Sequence, residues 1–367
     1  MLAALLGLLG ACSPKPLENG PYAGRYFYKG STVYYHKPSN VLNTYQKVPG
    51  ADKESFQVLH HSVGKDKNQV FYRDVPQGQV HHPSFRLHGG RLKDKDKVYR
   101  RVAGQKLLQP IDNPDMDPET FENLDWDHDQ NTDYWDKDRA HYYFKRQTLE
   151  VDYETFALAN THFLTDKNSL YTHLGHWKFK LLGALGNDFK VLNDHTVRNQ
   201  DTLYYFNPRG GRQLRKVAVA PRDSIGSLHD HIVRVNDVIL LFGTPLEASG
   251  YDAESFAFVA EETFGGQSMY SKDKHQVYLN HNVILDAHPD SFTVLKGNYA
   301  KDGATVYYKG EACPNADPKT IASLGWGYAK DKDKVYLRGS VLENADAASF
   351  GPRPDDPTRF RDKNYDF

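Results

Sequence analysis

One ten-residue stretch, Lys330-Asp331-Lys332-Asp333-Lys334-Val335-Tyr336-Leu337-Arg338-Gly339, returns along the chain in variant form. It recurs as Lys65-Asp66-Lys67-Asn68-Gln69-Val70-Phe71-Tyr72, as Lys93-Asp94-Lys95-Asp96-Lys97-Val98-Tyr99 and as Lys272-Asp273-Lys274-His275-Gln276-Val277-Tyr278. Tracked by the residue that opens the turn, the repeat falls at Asp66, Asp94, Asp138, Asp166, Asn199, Asp273, Asp302, Asp331 and Asp362, with steps of 28, 44, 28, 33, 74, 29, 29 and 31 residues. A period near 29 makes the chain an array of small units, none of which can bury an apolar face by itself.

The local chemistry of the stretch predicts a hairpin. Asp then Lys then Asn, Asp or Gly puts a side-chain acceptor at the start of a turn and a residue tolerant of positive φ inside it. The Val-Tyr or Val-Phe-Tyr that follows suits a pleated surface, and a Tyr at the hairpin centre suits cross-strand aromatic pairing. Exposed Tyr and Trp rows that stack on sugar rings are the alternative use of these rings. A second signature reads Asp, two residues, Ser or Thr, then Phe or Ile: Asp52 to Phe56, Asp117 to Phe121, Asp152 to Phe156, Asp252 to Phe256, Asp317 to Ile321 and Asp346 to Phe350. That pattern predicts one N-capped helical turn followed by a residue that plugs the core.

Each unit therefore reads as strand, tight turn, strand, a weaker third strand such as Val283-Ile284-Leu285, and a capped turn. The expected fold is all-β: tandem β-hairpin or meander repeats in a curved, solenoid-like array, with a propeller-like closed ring as the alternative. The array is favoured because 29 residues are short for four-stranded blades of roughly 40. The step of 74 hides a worn unit, since Ser224-Ile225-Gly226-Ser227-Leu228 aligns with Thr320-Ile321-Ala322-Ser323-Leu324 and sets Val238-Ile239-Leu240-Leu241-Phe242 over the strand at 334–338.

The N-terminus carries a different signal. Leu2 to Gly10 is apolar, and Leu9-Gly10-Ala11-Cys12 matches the lipobox of bacterial lipoprotein signal peptides, in which the thiol of Cys12 is lipidated after cleavage. The apolar run is too short to span a bilayer. No Lys or Arg precedes it, a departure from the pattern. Residues 1–12 thus read as signal peptide, 13–25 as linker and 26–367 as repeat array, degenerate over 174–260. With Cys12 lipidated, Cys313 has no disulfide partner and reads as a small buried thiol. The expected location is the bacterial cell envelope, lipid-anchored, with Ser13 after the lipidated residue favouring the outer membrane.

The turn sequences Asp66-Lys67-Asn68 with Phe71-Tyr72, the Asp-Lys-Asp versions at 94 and 331, and the terminal Asp362-Lys363-Asn364-Tyr365 together resemble the bacterial DKNYY repeat family. The resemblance runs through nearly the whole chain after Cys12, is strongest over 268–345 and is weakest over 174–260. It implies an envelope protein, often a lipoprotein, of unknown function, and supplies no catalytic residues.

Chemistry is sparse. The formal charge of -1 leaves no basic excess for phosphates, which excludes nucleic acid as an expected partner. The motifs of nucleophile elbows, zinc proteases, phosphate loops and dinucleotide folds are missing. Within the long interval, Asp125, Asp127, Asp129, Asp133 and Asp136 fall at positions 1, 3, 5, 9 and 12 of an acidic run that imitates an EF-hand calcium loop, although Gln130 replaces the usual Gly and Asp136 the usual Glu. Calcium is the candidate ion. A competing alignment of Leu124-Asp125-Trp126-Asp127-His128 with Leu324-Gly325-Trp326-Gly327-Tyr328 makes the first carboxylates one exposed strand face. The 17 histidines include the close pairs His60-His61, His81-His82, His173 and His176, and His229 and His231, which read as half-buried or surface side chains ahead of zinc ligands.

The functional expectation is a lipid-anchored envelope protein with a non-catalytic binding or scaffolding surface, its partners being the membrane through Cys12 and a protein or glycan. The alternative is an envelope glycan hydrolase with carboxylates in the 174–260 block. A calcium-holding acidic run predicts a thermal midpoint raised in millimolar calcium relative to EDTA, with the rise lost in the Asp127→Asn/Asp129→Asn variant. An unchanged midpoint would return the run to a solvated strand face.

Overall fold

The computed structural model of the chain describes residues 14–17, 25–37, 44–124, 134–174, 178–207, 213–262 and 268–367. Among these residues, strands of two to six residues form ten four-stranded antiparallel sheets and a final two-stranded one. Each sheet is a meander of four successive strands, as in Gln57–His60, Val63–Lys65, Val70–Tyr72 and Val75–Pro76. A repeat near 29 residues accommodates four strands because several are only two or three residues long. The expectation of three strands per unit, and the argument that such a unit is too short for four, are both corrected. The segment leading away from each plug, such as Gln57–His60, is itself the first strand. The chain divides into two compact units, Met1–Ala157 and Leu158–Phe367, and sheets within each stack on their neighbours in sequence.

The cores lie between sheets. Tyr26, Val33 and Tyr35 of the first sheet pack with Phe56, Val58 and Phe71 of the second. In the second unit, Tyr299, Val306 and Cys313 of one sheet pack with Ile321, Ala329 and Tyr336 of the next. The plug residues Phe56, Phe85, Phe121, Phe256, Phe350 and Ile321 all lie in such clusters. A Cβ on Gly64 would run into the Phe56 ring, so the plug requires glycine there.

The last two of the three hairpins in a meander close differently. Between the third and fourth strands the turn has two residues with both φ positive, as at Lys145-Arg146, Lys309-Gly310 and Arg338-Gly339, where φ runs from 49° to 84°. This is the I′ geometry that matches strand twist. The Asp-Lys-Asn turn between the second and third strands has no positive φ, contrary to expectation. Its conformation is held by the aspartate instead. In Asp331 the Oδ1 atom accepts the amides of Asp333 at 2.8 Å and Lys334 at 2.7 Å, while Oδ2 accepts the Tyr336 hydroxyl at 2.7 Å and the Asp317 amide at 3.0 Å. The same set recurs around Asp94, Asp138, Asp273 and Asp302, each buried. Phe71 stands where the hydroxyl would come in the second sheet, so Asp66 keeps only the amide bonds.

The capped turn is tied to this hub. It forms short 3-10 helices at Lys53–Ser55 and His82–Ser84 and single hydrogen-bonded turns at Asp117, Asp152, Asp317 and Asp346. The hydroxyl of its Ser or Thr donates to the cap carboxylate, as Thr320 does to Asp317 at 2.9 Å, and accepts the amide of the residue after the hub, Lys332, at 3.3 Å. The lysine before the hub reaches the next repeat. Lys93 is fully buried, and its Nζ donates to the carbonyls of Glu119 and Phe121 at 3.1 and 2.7 Å. Lys65, Lys272, Lys301 and Lys330 make the equivalent bonds to Phe85, Pro289, Pro318 and Ala347 with Phe350. Arg234 does the same to Ala253 in the worn unit at 3.3 Å.

Two further expectations change. The segment read as a linker contains a strand at Lys15–Pro16 paired with Phe27 and Tyr28, and Leu17 is buried in the first core. The tyrosines read as cross-strand pairs point inward to the hubs, so their rings fill the core while their hydroxyls satisfy a buried carboxylate. Removing the hub in Asp331→Ala is expected to cost on the order of 3 kcal/mol in urea unfolding, because several buried donors lose their acceptor, whereas Tyr336→Phe costs about 1 kcal/mol. Equal, small losses in both variants would show that the turn does not depend on the carboxylate.

Candidate functional site

Of the sequence-derived site residues, Cys12 and four members of the acidic run, Asp125, Asp127, Asp129 and Asp133, lie outside the described residues, as does His176. The fifth, Asp136, sits on the strand Trp135–Lys137, fully buried, and its Oδ1 accepts the Arg91 Nε at 2.6 Å and pairs with Nη2 at 2.5 Å. The calcium-loop reading asked Asp136 to supply the twelfth-position carboxylate. Its place is in an ion pair with the neighbouring sheet, formed where burial makes each charge need the other. Among the described residues no group of three or more His, Cys, Asp or Glu is placed to hold a metal ion, and no helix is long and apolar enough to cross a membrane.

The hub carboxylates are structural anions. Burial alone would raise the pKa of Asp331, but the Tyr336 hydroxyl and the amides of Asp317, Asp333 and Lys334 outweigh it and hold the carboxyl below its ordinary range. Tyr307 is pushed up to about 12 by burial and then by Asp302. Cys313 is buried and its thiol is raised to about 11, chiefly by burial, which makes it unreactive near neutral pH.

Histidines form the feature that sequence pairing missed. His162, His195 and His231 occupy the first turn of three successive sheets, and their rings stack, with centroids 5.0 Å apart at 18° and then 4.6 Å apart at 7°. His173 packs on one end, His229 on the other, and His229 stacks in turn on Phe258 at 3.8 Å. The equivalent position is Ser62 in the second sheet and Tyr134 in the fourth, so the column is confined to the sheets that carry His162, His195 and His231. The signal was present in the sequence as a His at 162, 195 and 231 directly before a second strand, a spacing that adjacency-based pairing does not test. Burial first, and then the neighbouring rings, lowers His162 to about 3 and His231 to about 4 from 6.5, with Glu261 and Asp230 opposing at His231.

Two clefts of similar size, one in each compact unit, are lined by outer hairpins of neighbouring repeats. One, of about 500 Å³, includes Glu311, Glu343 and Arg338. The other, of about 520 Å³, is lined by Arg25, Lys37, Arg73 and Lys106, with Asp74 its one acidic residue. In the 174–260 block, the small cavity between Tyr205, His231 and Leu240 holds only about 10 Å³ and has no carboxylate in its lining, so it offers no acid and base to a hydrolase.

Residues 26–175 and 232–367 match the DKNYY family. No curated protein and no solved structure matches the chain.

The histidine column predicts a specific pH response. A depressed folded pKa at His162 and His231 means that the unfolded chain takes up protons there below 6.5 while these two folded rings stay neutral, so their contribution is intact above that pH and falls as pH drops toward 4. The slope is about 1.4 kcal/mol per pH unit for each ring kept neutral. Asp331, held below its ordinary range in the folded chain, adds its own loss only at lower pH, as the carboxyl of the unfolded chain takes up protons around 3.8 and below. Urea unfolding of the second unit's sheets between pH 7 and 4.5 measures it, and the His162→Phe/His231→Phe variant is expected to flatten the slope. A wild-type slope of zero over that window would contradict the buried, neutral stack.

Proposed function

The chain belongs to the DKNYY family, and on that premise we propose that it is a lipid-anchored protein of the bacterial envelope whose β-repeat surface binds a partner without catalysis. The observation that carries this reading is where the recurring polar residues go. Hub Asp, core Tyr, cap Ser or Thr and the preceding Lys are committed to one another across each repeat and to the next one. Repetition in this chain therefore serves to hold each repeat together and join it to the next, and what differs from repeat to repeat is the outer hairpins: their length, loops and charge. Solenoid-type arrays use such variable edges as binding surfaces. The Leu9-Gly10-Ala11-Cys12 sequence supports anchoring, since two acyl signals hold a protein on a bilayer without a spanning helix. An outer-membrane location follows from Ser13 in a Gram-negative host.

Replacement of Cys12 by Ser is the test. In the native host, the wild-type chain is expected in the membrane pellet and Cys12→Ser in the soluble fraction or retained as unprocessed precursor. A variant that is processed normally and stays in the pellet would overturn the anchor. Envelope glycan fragments incubated with the purified chain are expected back with their linkages intact, and their cleavage would instead establish the hydrolase.

A further inference from the structure

We infer that the basic cleft between the first three repeats is a binding site for an acidic saccharide, one bearing phosphate or carboxylate groups. The inference deepens the binding role proposed above and rests on it. Three departures from the repeat build the cleft. In the first sheet the strands Thr32–Lys37 and Thr44–Lys47 run longer than their counterparts in the second and third sheets and carry Lys37 and Gln46 outward as one wall. In the second, the turn Arg73-Asp74 forms the base. In the third, the usual two-residue outer turn is replaced by residues 101–108, which place Gly104, Gln105 and Lys106 as the opposite wall.

These pieces are fixed in position. Buried Gln77 holds the long loop, its Nε2 donating to the Lys106 carbonyl at 3.2 Å and its Oε1 accepting the Leu108 amide at 2.7 Å. The Tyr26 hydroxyl donates to the Arg73 carbonyl at 3.0 Å, and the Arg73 guanidinium lies 5.0 Å from the centroid of the Tyr72 ring. The cleft thus has a preorganised arginine, an aromatic floor and a pinned rim.

Charge decides the ligand. Arg25, Lys37, Arg73 and Lys106 face one acidic side chain, and none of the four forms an ion pair with another described residue. On a chain whose net charge is -1, such a local excess is a focused positive field. The cleft of similar size in the second unit, with two glutamates and one arginine, shows that the excess is not a general property of clefts between outer hairpins. Arginine and lysine in this arrangement suit phosphate or carboxylate oxygens. Gln46 and Gln105 offer amides to hydroxyl groups, and a volume of about 520 Å³ lies within the range of small-ligand sites. An acidic sugar combines both requirements. Its source is either a soluble glycan or the headgroup of a lipid, and the two share this chemistry.

Calorimetric titration of the full chain in neutral detergent, with glucose 6-phosphate and with glucose, tests the inference. Saturable binding of the phosphorylated sugar alone is expected, weakened at least about tenfold in Arg73→Gln/Lys106→Gln. Lys37→Gln, at an exposed position, gives a second variant whose folding is not in question and is expected to weaken binding in the same direction. Loss of sugar binding when phosphatidylglycerol is added to the micelles would assign the source to a lipid headgroup, and its retention to a soluble glycan. No saturable binding up to about 10 mM, or the same affinity in wild type and all variants, would overturn the inference. A chain that partitions with the membrane through Cys12 yet ignores the phosphorylated sugar would overturn this inference and leave the anchoring untouched.

Discussion

A carboxylate buried at the start of a turn governs the rest of this architecture. An isolated buried charge is expensive, and the hub aspartates persist because Oδ1 and Oδ2 each collect donors that would themselves be stranded by burial. The two amides accepted by Oδ1 set the turn, which fixes the register of the second and third strands. The amide accepted by Oδ2 brings in the capped turn, and the capped turn aims the plug residue into the core. Tyrosine supplies the last donor and an aromatic ring for the core in the same side chain. One residue thus couples backbone conformation, strand register and packing within a repeat, and the lysine beside it extends the coupling to the next. The surface ion pair from the turn lysine to the cap aspartate, as between Lys274 and Asp252 at 2.6 Å, is exposed and secondary to this.

Two of the repeats without an aspartate hub show what it takes to do without it. At Asn199 an amide replaces the carboxylate: Oδ1 accepts the Gly186 amide at 2.8 Å and Nδ2 donates to the Ala184 carbonyl at 2.9 Å. In the worn unit Asn236 holds the Ser224 amide to the same effect. Both hairpins shorten to two-residue turns, with Gln200 and Asn236 at positive φ, and their strands lengthen to at least four residues. Longer ladders and the apolar run Val238–Leu241 supply what the charge network no longer does. The histidine column starts at His162, in a repeat that keeps its Asp166 hub, and continues through His195 and His231 in these two repeats, while the family match is interrupted over 176–231.

Much of this was legible in the chain itself because a repeat repeats its reasons. Asp331 and its counterparts stand out by period, Phe56 and Ile321 by their fixed distance from a capping Asp, and the worn unit by its Val-Ile-Leu-Leu. What escaped depends on partners distant in sequence. Lys93 looks like one more solvated cation until the carbonyls of Glu119 and Phe121 are brought to it, and Asp136 looks like a calcium ligand until Arg91 arrives from the previous sheet. The four-stranded count escaped because strands as short as Val75–Pro76 carry no periodicity. The basic cleft escaped because its walls come from three repeats and from a loop that breaks the pattern.

Native-state hydrogen exchange on the amides of Asn68, Asp96, Asp333 and Asn364 addresses the hub most directly, since each lies in an exposed turn and donates only to a buried aspartate two residues before it. If the carboxylate organises the repeat, these amides exchange at the rate of the strands flanking them, through one shared opening. Exchange as fast as that of free loop amides, with the adjoining strands still protected, would contradict the hub and leave the turns as passive connections.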